Sequence, residues 1–310
     1  MTKLIRLFHK ACAEYSLLED GDRVLVALSG GKDSLMLTRL MGMQQRIHKP
    51  KIEVEAVHVT MDNIPYETDR SYIQTFCEQE GIRLTILHSS FEVHSSQFSP
   101  CERSTCGASD YTVHSSRVQE FKVSQTTKRL NDQTTKRPDD QTPKRPNSQS
   151  NQARRRQKTP CFLCSWNRRK AIFTYAKEHG FTKVALGHHQ DDILITMLMN
   201  MTFEGTFDTM QPKLKMRHYP IEVIHPLCLI PEKDIKEQAM LLGFEKQKTP
   251  CPYDTVTKRN ALKDVFHQLE SLNPEARYSM WHALWSATRK ASSAGEGAAT
   301  HAAAAGAVDV

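Results

Sequence analysis

Three short clusters in the 310-residue chain combine residue types and spacings that can do chemistry. The first is Ser29-Gly30-Gly31-Lys32-Asp33-Ser34. Adjacent glycines let backbone N–H groups turn toward one bound anion, a helix starting behind them adds its partial positive charge, and Lys32 adds a full one. Such a cradle suits a pyrophosphate. Its spacing departs from G-x-x-x-x-G-K-S/T, so it is not the ordinary NTPase loop. The second cluster is Gly187-His188-His189-Gln190-Asp191-Asp192. Adjacent carboxylates beside a nucleotide suit Mg²⁺ coordination or substrate positioning. The blander role for Asp191 is to cap a helix beginning at Ile193.

The third cluster is Cys161-Phe162-Leu163-Cys164, with Cys251 following in Thr249-Pro250-Cys251-Pro252. A C-x-x-C pair followed by a helix can chelate zinc, hold an iron-sulfur cluster or act as a redox dithiol. The dithiol role is disfavoured because the pair is not on the domain's first strand-helix turn. Structural zinc wants four ligands, and the remaining cysteine of the carboxyl half, Cys228, sits in the apolar stretch Ile224 to Ile230 and reads as core. Cys12 and Cys77 lie among apolar helix positions and read as packed thiols. Cys101 and Cys106 fall in a polar insertion.

These clusters need elements to hold them. Val24 to Leu28 is a continuous apolar run of the kind that forms a buried parallel strand, and it ends at Ser29-Gly30-Gly31. Leu37, Leu40 and Met41 follow at helical spacing. Further strands are expected at Val54 to Val59, Ile82 to Leu87, Val184 to Leu186 and Ile221 to Ile224. Helices are expected at Ser71 to Glu80 before Gly81, Arg168 to His179 before Gly180, Ile193 to Met201, Pro231 to Leu242, and as a pair over Val256 to Leu284 broken near Pro274. Alternation of this kind predicts an α/β fold, a doubly wound parallel sheet with a small helical C-terminal extension. Ligands of such sheets lie outside the strands' carboxyl ends, so the first two clusters face one crevice.

Hydrophobic residues make up 39% of the chain, charged residues 25%, and the net charge is +7. The excess is local: residues 101–158 hold 13 Lys/Arg against 6 Asp/Glu, which accounts for all of it. From Ser124 to Lys158 only Leu130 and Ala153 are apolar, too little to offset the entropy of ordering the segment. A tandem octapeptide runs through it, QTTKRLND from Gln125, QTTKRPDD from Gln133 and QTPKRPNS from Gln141. With no apolar position it cannot stack as a solenoid. Residues 101–158 are expected to be a disordered insertion, either a solvated expansion or a basic arm on RNA phosphates. The α/β domain is then 1–100 with 159–250, the helical extension 251–290, and the Ala/Gly-rich tail 291–310 frayed. No run approaches 18 apolar residues and the amino-terminal segment lacks a signal-peptide pattern, so neither a membrane nor secretion is expected, and a cytoplasmic location is.

The chain resembles the tRNA 2-thiocytidine synthetases, PP-loop ATP pyrophosphatases with a 4Fe-4S cluster. The resemblance rests on Leu18 to Asp22 before the first strand, SGGKDS, PCFLCSWNRRK from Pro160, ALGHHQDDI from Ala185, PKLKM from Pro212, HPLCLIPEKDI from His225 and LNPEARYS from Leu272. It implies that Cys161, Cys164 and Cys251 ligate the cluster, leaving one iron free of protein ligation. It implies that Ser29, Gly30, Gly31, Lys32, Asp33 and Ser34, with Gly187 and His188, bind the nucleotide. Lys32, Asp33, Arg168, Asp191 and Asp192 fall where relatives place catalytic groups, with Arg169 beside them. The implied activity is ATP- and Mg²⁺-dependent: adenylation of an anticodon-loop cytidine of tRNA, position 32, and replacement of its C2 oxygen by sulfur from a cysteine desulfurase or other persulfide donor. A homodimer is compatible with it. The alternatives are a thiolase acting on another base, giving 2-thiouridine, and a non-catalytic metal- and nucleotide-binding module. The insertion ending just before Cys161 departs from the family pattern, and zinc-ribbon cysteine pairs are missing, which favours cytidine over uridine by analogy.

Overall fold

A computed structural model describes residues 1–62, 69–90, 160–245 and 258–294. The insertion at 101–158 with Cys101 and Cys106, the segment containing Cys251, and residues 295–310 of the expected tail lie outside the described residues. Among the described residues six strands form one sheet: β1 (Arg23–Ala27), β2 (Glu53–Met61), β3 (Arg83–Ser89), β4 (Lys183–Ala185), β5 (Lys213–Lys215) and β6 (Glu222–Ile224). Their order is β3-β2-β1-β4-β6-β5. Neighbours run parallel except β5, which pairs antiparallel with β6 at the edge. The chain builds outward from β1 through β2 to β3, then returns to place β4 on the other side of β1. The strand order therefore reverses between β1 and β4, the position at which open α/β sheets bind ligands.

Side-chain alternation assigns the two faces. Val24, Val26, Val54 and Ala56 point into one apolar layer, while Leu25, Val57 and Val59 point into the other. The first layer is filled by α1 (Thr2–Glu14), α2 (Lys32–Gln45), α3 (Arg70–Glu80), α5 (Gln190–Met199), α6 (Glu232–Leu241), α7 (Lys258–Leu272) and α8 (Ala276–Ala294), through residues such as Phe8, Leu40, Ile73, Ile193, Ile235, Phe266 and Leu284. The second is covered by α4 (Pro160–Glu178) with Ile172, Phe173 and Ala176. Gly81, in the left-handed region at φ 69°, stops α3 as expected.

The end of the sheet away from the strands' carboxyl termini is pinned by charge. Lys183 is 3% exposed, and its Nζ lies 2.7 Å from Asp22 Oδ2 and 3.0 Å from the Leu17 carbonyl.

Three boundaries differ from the sequence-based expectation. Helix α4 begins at Pro160 rather than Arg168, so the C-x-x-C pair lies in its first turn and not ahead of it. Proline suits the first helical position because the N–H it lacks would have no partner there. Helix α5 starts at Gln190, three residues before Ile193, and passes into a π-helical turn over Asn200–Glu204. Helix α8 continues to Ala294, past the expected start of the tail at Ala291. The edge strand β5, Lys-Leu-Lys, is too short and too polar to leave a strand pattern.

Candidate active site

The loop after β1 is organised by its own hydroxyls. Gly30 takes φ +86°, a left-handed conformation that favours glycine, and Gly31 is the residue before α2 with no side chain to cap the helix amides. Ser34 Oγ donates to the Gly31 carbonyl at 2.9 Å and accepts from Ser29 N at 3.2 Å, and the two hydroxyls lie 3.0 Å apart. Ser29 Oγ also accepts from Gly31 N at 3.3 Å. The turn is thus held open as a cradle by Ser29 and Ser34 while the α2 N-terminus points into it. Lys32 Nζ, half-buried beside the loop, contacts Asp33 Oδ2 at 2.9 Å and Glu232 Oε1 at 3.1 Å. Burial works against its charge, but the Asp33 and Glu232 carboxylates hold its pKa above the usual lysine value.

The loop after β4 packs directly on that cradle. A Cβ at Gly187 would stand 3.2 Å from Ser34 N and 3.3 Å from the Asp33 carbonyl carbon, so any side chain there would push on the cradle backbone. His189, not Asp191, precedes α5, and its N–H donates to Asp192 Oδ2 at 3.0 Å. Its ring spans both loops: Nε2 lies 3.4 Å from Asp192 Oδ2 and 3.9 Å from Asp33 Oδ1. Asp33 Oδ1 itself is buried and receives no hydrogen bond from the described residues. A carboxylate oxygen left without a donor at the mouth of a phosphate cradle fits a metal-bound nucleotide as the missing partner.

The two adjacent carboxylates face arginines. Asp191 is 2% exposed, and the Arg277 guanidinium grips it with two bonds of 2.8 Å while Glu232 N donates at 2.7 Å. Burial would raise its pKa, but Arg277 holds it below the usual carboxylate range. Asp192 meets Arg259 Nη2 at 2.6 Å. Arg277 is held in turn by Glu270, with Nε 2.8 Å from Oε1. Glu232, at the start of α6, also takes Lys236 at 3.3 Å and Lys263 of α7. Burial opposes its charge, yet Lys263 and Lys32 pull its pKa down to about 2.

His188 turns the other way, into a buried layer with His225, their rings 5.1 Å apart. Burial, the neighbouring His225 and the charge of Arg169 push the His188 pKa down to about 3. His225, whose Nδ1 is 2.7 Å from the Gln211 carbonyl, is lowered by burial as well. Arg169 is itself destabilised as a cation by burial, and Arg168 is near enough to His58 to depress that histidine after burial has done so. Helix α4 thereby brings Arg168 and Arg169 against β2 and the β4 loop.

Cys164 packs half-buried on the layer containing Val57 and Phe173. Cys161 and Cys164 are three residues apart in the first turn of α4. Cys251 lies outside the described residues, and among the described residues no three His, Cys, Asp or Glu side chains group as a metal site. Cys228 and Cys77 are fully buried, and burial raises both thiol pKa values, that of Cys77 to about 12.

Glu232, Arg259, Lys263, Arg277 and the capping role of His189 carry no signal by themselves in the sequence. Glu232 and Arg277 stand inside HPLCLIPEKDI and LNPEARYS, where only their contacts single them out.

Residues 2–136 match the PP-loop domain family. The chain is 31% identical over 280 residues to a tRNA-cytidine(32) 2-sulfurtransferase of Shewanella pealeana, covering 88% of this chain and 71% of that protein. It is 29% identical over 283 residues to the protein of the same name from Methylococcus capsulatus, with coverages of 91% and 78%. Among solved structures it is similar to the U34-tRNA thiolase NcsA from Methanococcus maripaludis with its 4Fe-4S cluster, at 22% identity and a TM-score of 0.61, over 93% of this chain and 78% of that one. That last likeness is one of fold.

Proposed function

The chain belongs to the tRNA-cytidine(32) 2-sulfurtransferase family, and we propose that it uses ATP to activate the C2 carbonyl of cytidine 32 in a tRNA anticodon loop and replaces that oxygen with sulfur. The observation that carries this reading is the seating of the Gly187 loop on the Ser29–Ser34 cradle at the point where the strand order reverses.

A carbonyl oxygen is a poor leaving group, and its conversion to a phosphate ester removes that obstacle. The ATP phosphates lie on the loop amides and the α2 N-terminus, with Lys32 neutralising charge as it builds on the departing pyrophosphate. Asp33, whose Oδ1 is buried without a hydrogen bond from the described residues, would hold a Mg²⁺ accompanying the phosphates, which would supply further neutralising charge. The cytidine O2–phosphorus bond forms as the bond to the β-phosphate oxygen breaks. Sulfur then bonds to C2, and AMP leaves with the original oxygen. Cys161, Cys164 and Cys251 would hold a 4Fe-4S cluster, which when bound supplies sulfur in a nucleophilic form. Arg168 is the cation offered to the reacting phosphate, while Asp191 and Asp192 position the loop through Arg277 and Arg259. Sulfur comes from a cysteine desulfurase or other persulfide donor, with a cellular thiol supplying the two electrons that release it as hydrosulfide, and the protein works in the cytoplasm. The domain division that goes with this reading assigns 1–100 and 159–250 to the nucleotide domain and 251–290 to an extension carrying Cys251, from which Arg259 and Arg277 reach the site.

The test is reconstitution with ATP, sulfide and a tRNA bearing C32, followed by nucleoside mass spectrometry. The expected product is 2-thiocytidine, absent when C32 is replaced by U. Lys32→Ala is expected to abolish product while retaining iron. Formation of 2-thiouridine alone, or thiolation at a normal rate without ATP, refutes the assignment.

A further inference from the structure

Three ammonium groups from three elements meet on one nearly buried carboxylate. Glu232, 7% exposed, takes Lys32 from the cradle on Oε1, Lys236 from its own helix on the same oxygen, and Lys263 from α7 on Oε2. Asp33 is the other carboxylate in contact with this group, again through Lys32. Within this group three cations therefore face two anions, while nearby Arg259 faces Asp192 and Arg277 faces both Asp191 and Glu270, so the surplus is confined to the lysine cluster. A surplus positive charge beside a helix N-terminus attracts an anion carrying more charge than a side chain can. The lysines are also within its reach: their side chains keep 31%, 52% and 32% exposure for Lys32, Lys236 and Lys263. Each ammonium has three donors, and the described contacts take two from Lys32 and one from each of the others, so further oxygens can be served without breaking the cluster.

Resting on the thiolase reading above, we propose that Lys263 is a second phosphate-binding residue of the reaction, held beside Lys32 by Glu232, and that together with Lys236 it receives the pyrophosphate as it leaves ATP. Glu232 is the positioning residue: it fixes the lysines near one another before the nucleotide arrives, when mutual repulsion would otherwise spread them. Lys263 comes from the helical extension, so the pyrophosphate pocket is completed by a residue more than two hundred positions after the cradle that begins it.

The experiment is calorimetric titration of the full chain with pyrophosphate and, separately, with AMP, alongside the ATP dependence of thiolation. Lys263→Met keeps the aliphatic stem and removes the charge. It is expected to weaken pyrophosphate binding and raise the KM for ATP about tenfold, the scale of one charge-assisted hydrogen bond. AMP affinity should stay within about twofold and Lys263→Arg should restore most of the loss, by the same charge argument. Unchanged pyrophosphate affinity in Lys263→Met, with Lys32→Ala losing it, overturns this assignment and leaves the thiolase reading standing. Unchanged affinity in both variants overturns the cradle as a pyrophosphate site and the inference with it. Equal losses for AMP and pyrophosphate together with a lowered Tm would make Lys263 merely structural, and this too refutes the proposal.

Discussion

Replacing Arg277 with methionine removes the guanidinium that clamps α8 to the β4 loop while preserving most of the side chain's apolar bulk. The side chains of Arg277 and Asp191 are 14% and 3% exposed, with both bonds at 2.8 Å. Removing one partner of a buried pair costs about 3 to 5 kcal/mol because the other is left desolvated and uncompensated. Here Asp191 keeps the Glu232 N–H at 2.7 Å, so the expected loss lies near the lower end, about 3 kcal/mol. For a folded body of this size that corresponds to a fall in Tm of roughly 6 to 12 °C. Urea unfolding of Arg277→Met, Asp191→Asn and the double variant closes a cycle, and because the two groups touch, their coupling should exceed about 1 kcal/mol. Thiolation should fall in both single variants, since each frees the loop that seats on the cradle. A loss under about 1 kcal/mol in Arg277→Met with no coupling would refute the clamp. An inactive Asp191→Asn of normal stability, beside a fully active Arg277→Met, would instead return Asp191 to direct contact with the reacting groups.

Gly187→Ala should weaken ATP binding and destabilise by about 1 to 3 kcal/mol, because its Cβ meets backbone atoms of Asp33 and Ser34 that cannot yield separately. Gly42→Ala, whose Cβ would stand 2.8 Å from the Glu80 carbonyl oxygen, should destabilise comparably without changing the nucleotide affinity of the folded protein, as isothermal titration would show. His188 and His225 have folded pKa values below 6.5, so the unfolded chain binds protons that the native one refuses; stability should fall below pH 6.5 by up to about 1.4 kcal/mol per pH unit for each, and His188→Gln should flatten the curve. Glu232 adds a second window, its contribution present above pH 4.5 and lost as pH falls toward 2. Cys164→Ala should lose bound iron and activity together whereas Cys228→Ala, at a fully buried core position, should keep both; iron retained in full by Cys164→Ala would exclude that thiol as a ligand.

The parts of the site that were legible in the sequence are those fixed by local chemistry. Gly30 needs a left-handed turn and Lys32 follows at a helix start, so the cradle is encoded within six residues. The strands are legible because a buried parallel strand is apolar on both faces, as Val24, Leu25 and Val26 are. The clamp was not, since Arg277 and Asp191 are 86 positions apart and an arginine in LNPEARYS reads as one more solvated charge. The start of α4 was hidden because Cys161 to Asn167 show no apolar period, and the start of α5 because histidine is not among the side chains that usually precede a helix. Adjacent carboxylates suggested metal binding, and only the third dimension reveals the arginines that each one faces.

The ion pairs from α7 and α8 to the first turns of α5 and α6 also set an order of events during synthesis. The cradle at residues 29–34 leaves the ribosome early, while Arg259 and Arg277, which clamp the second loop, and Lys263, which holds Glu232, emerge more than two hundred residues later. Until then Asp191 and Asp192 lack the arginines they face, while Glu232 has Lys32 and Lys236 but not Lys263. The second loop is therefore held in place only once α7 and α8 have been made, because both of its carboxylates draw their arginines from the last part of the described chain.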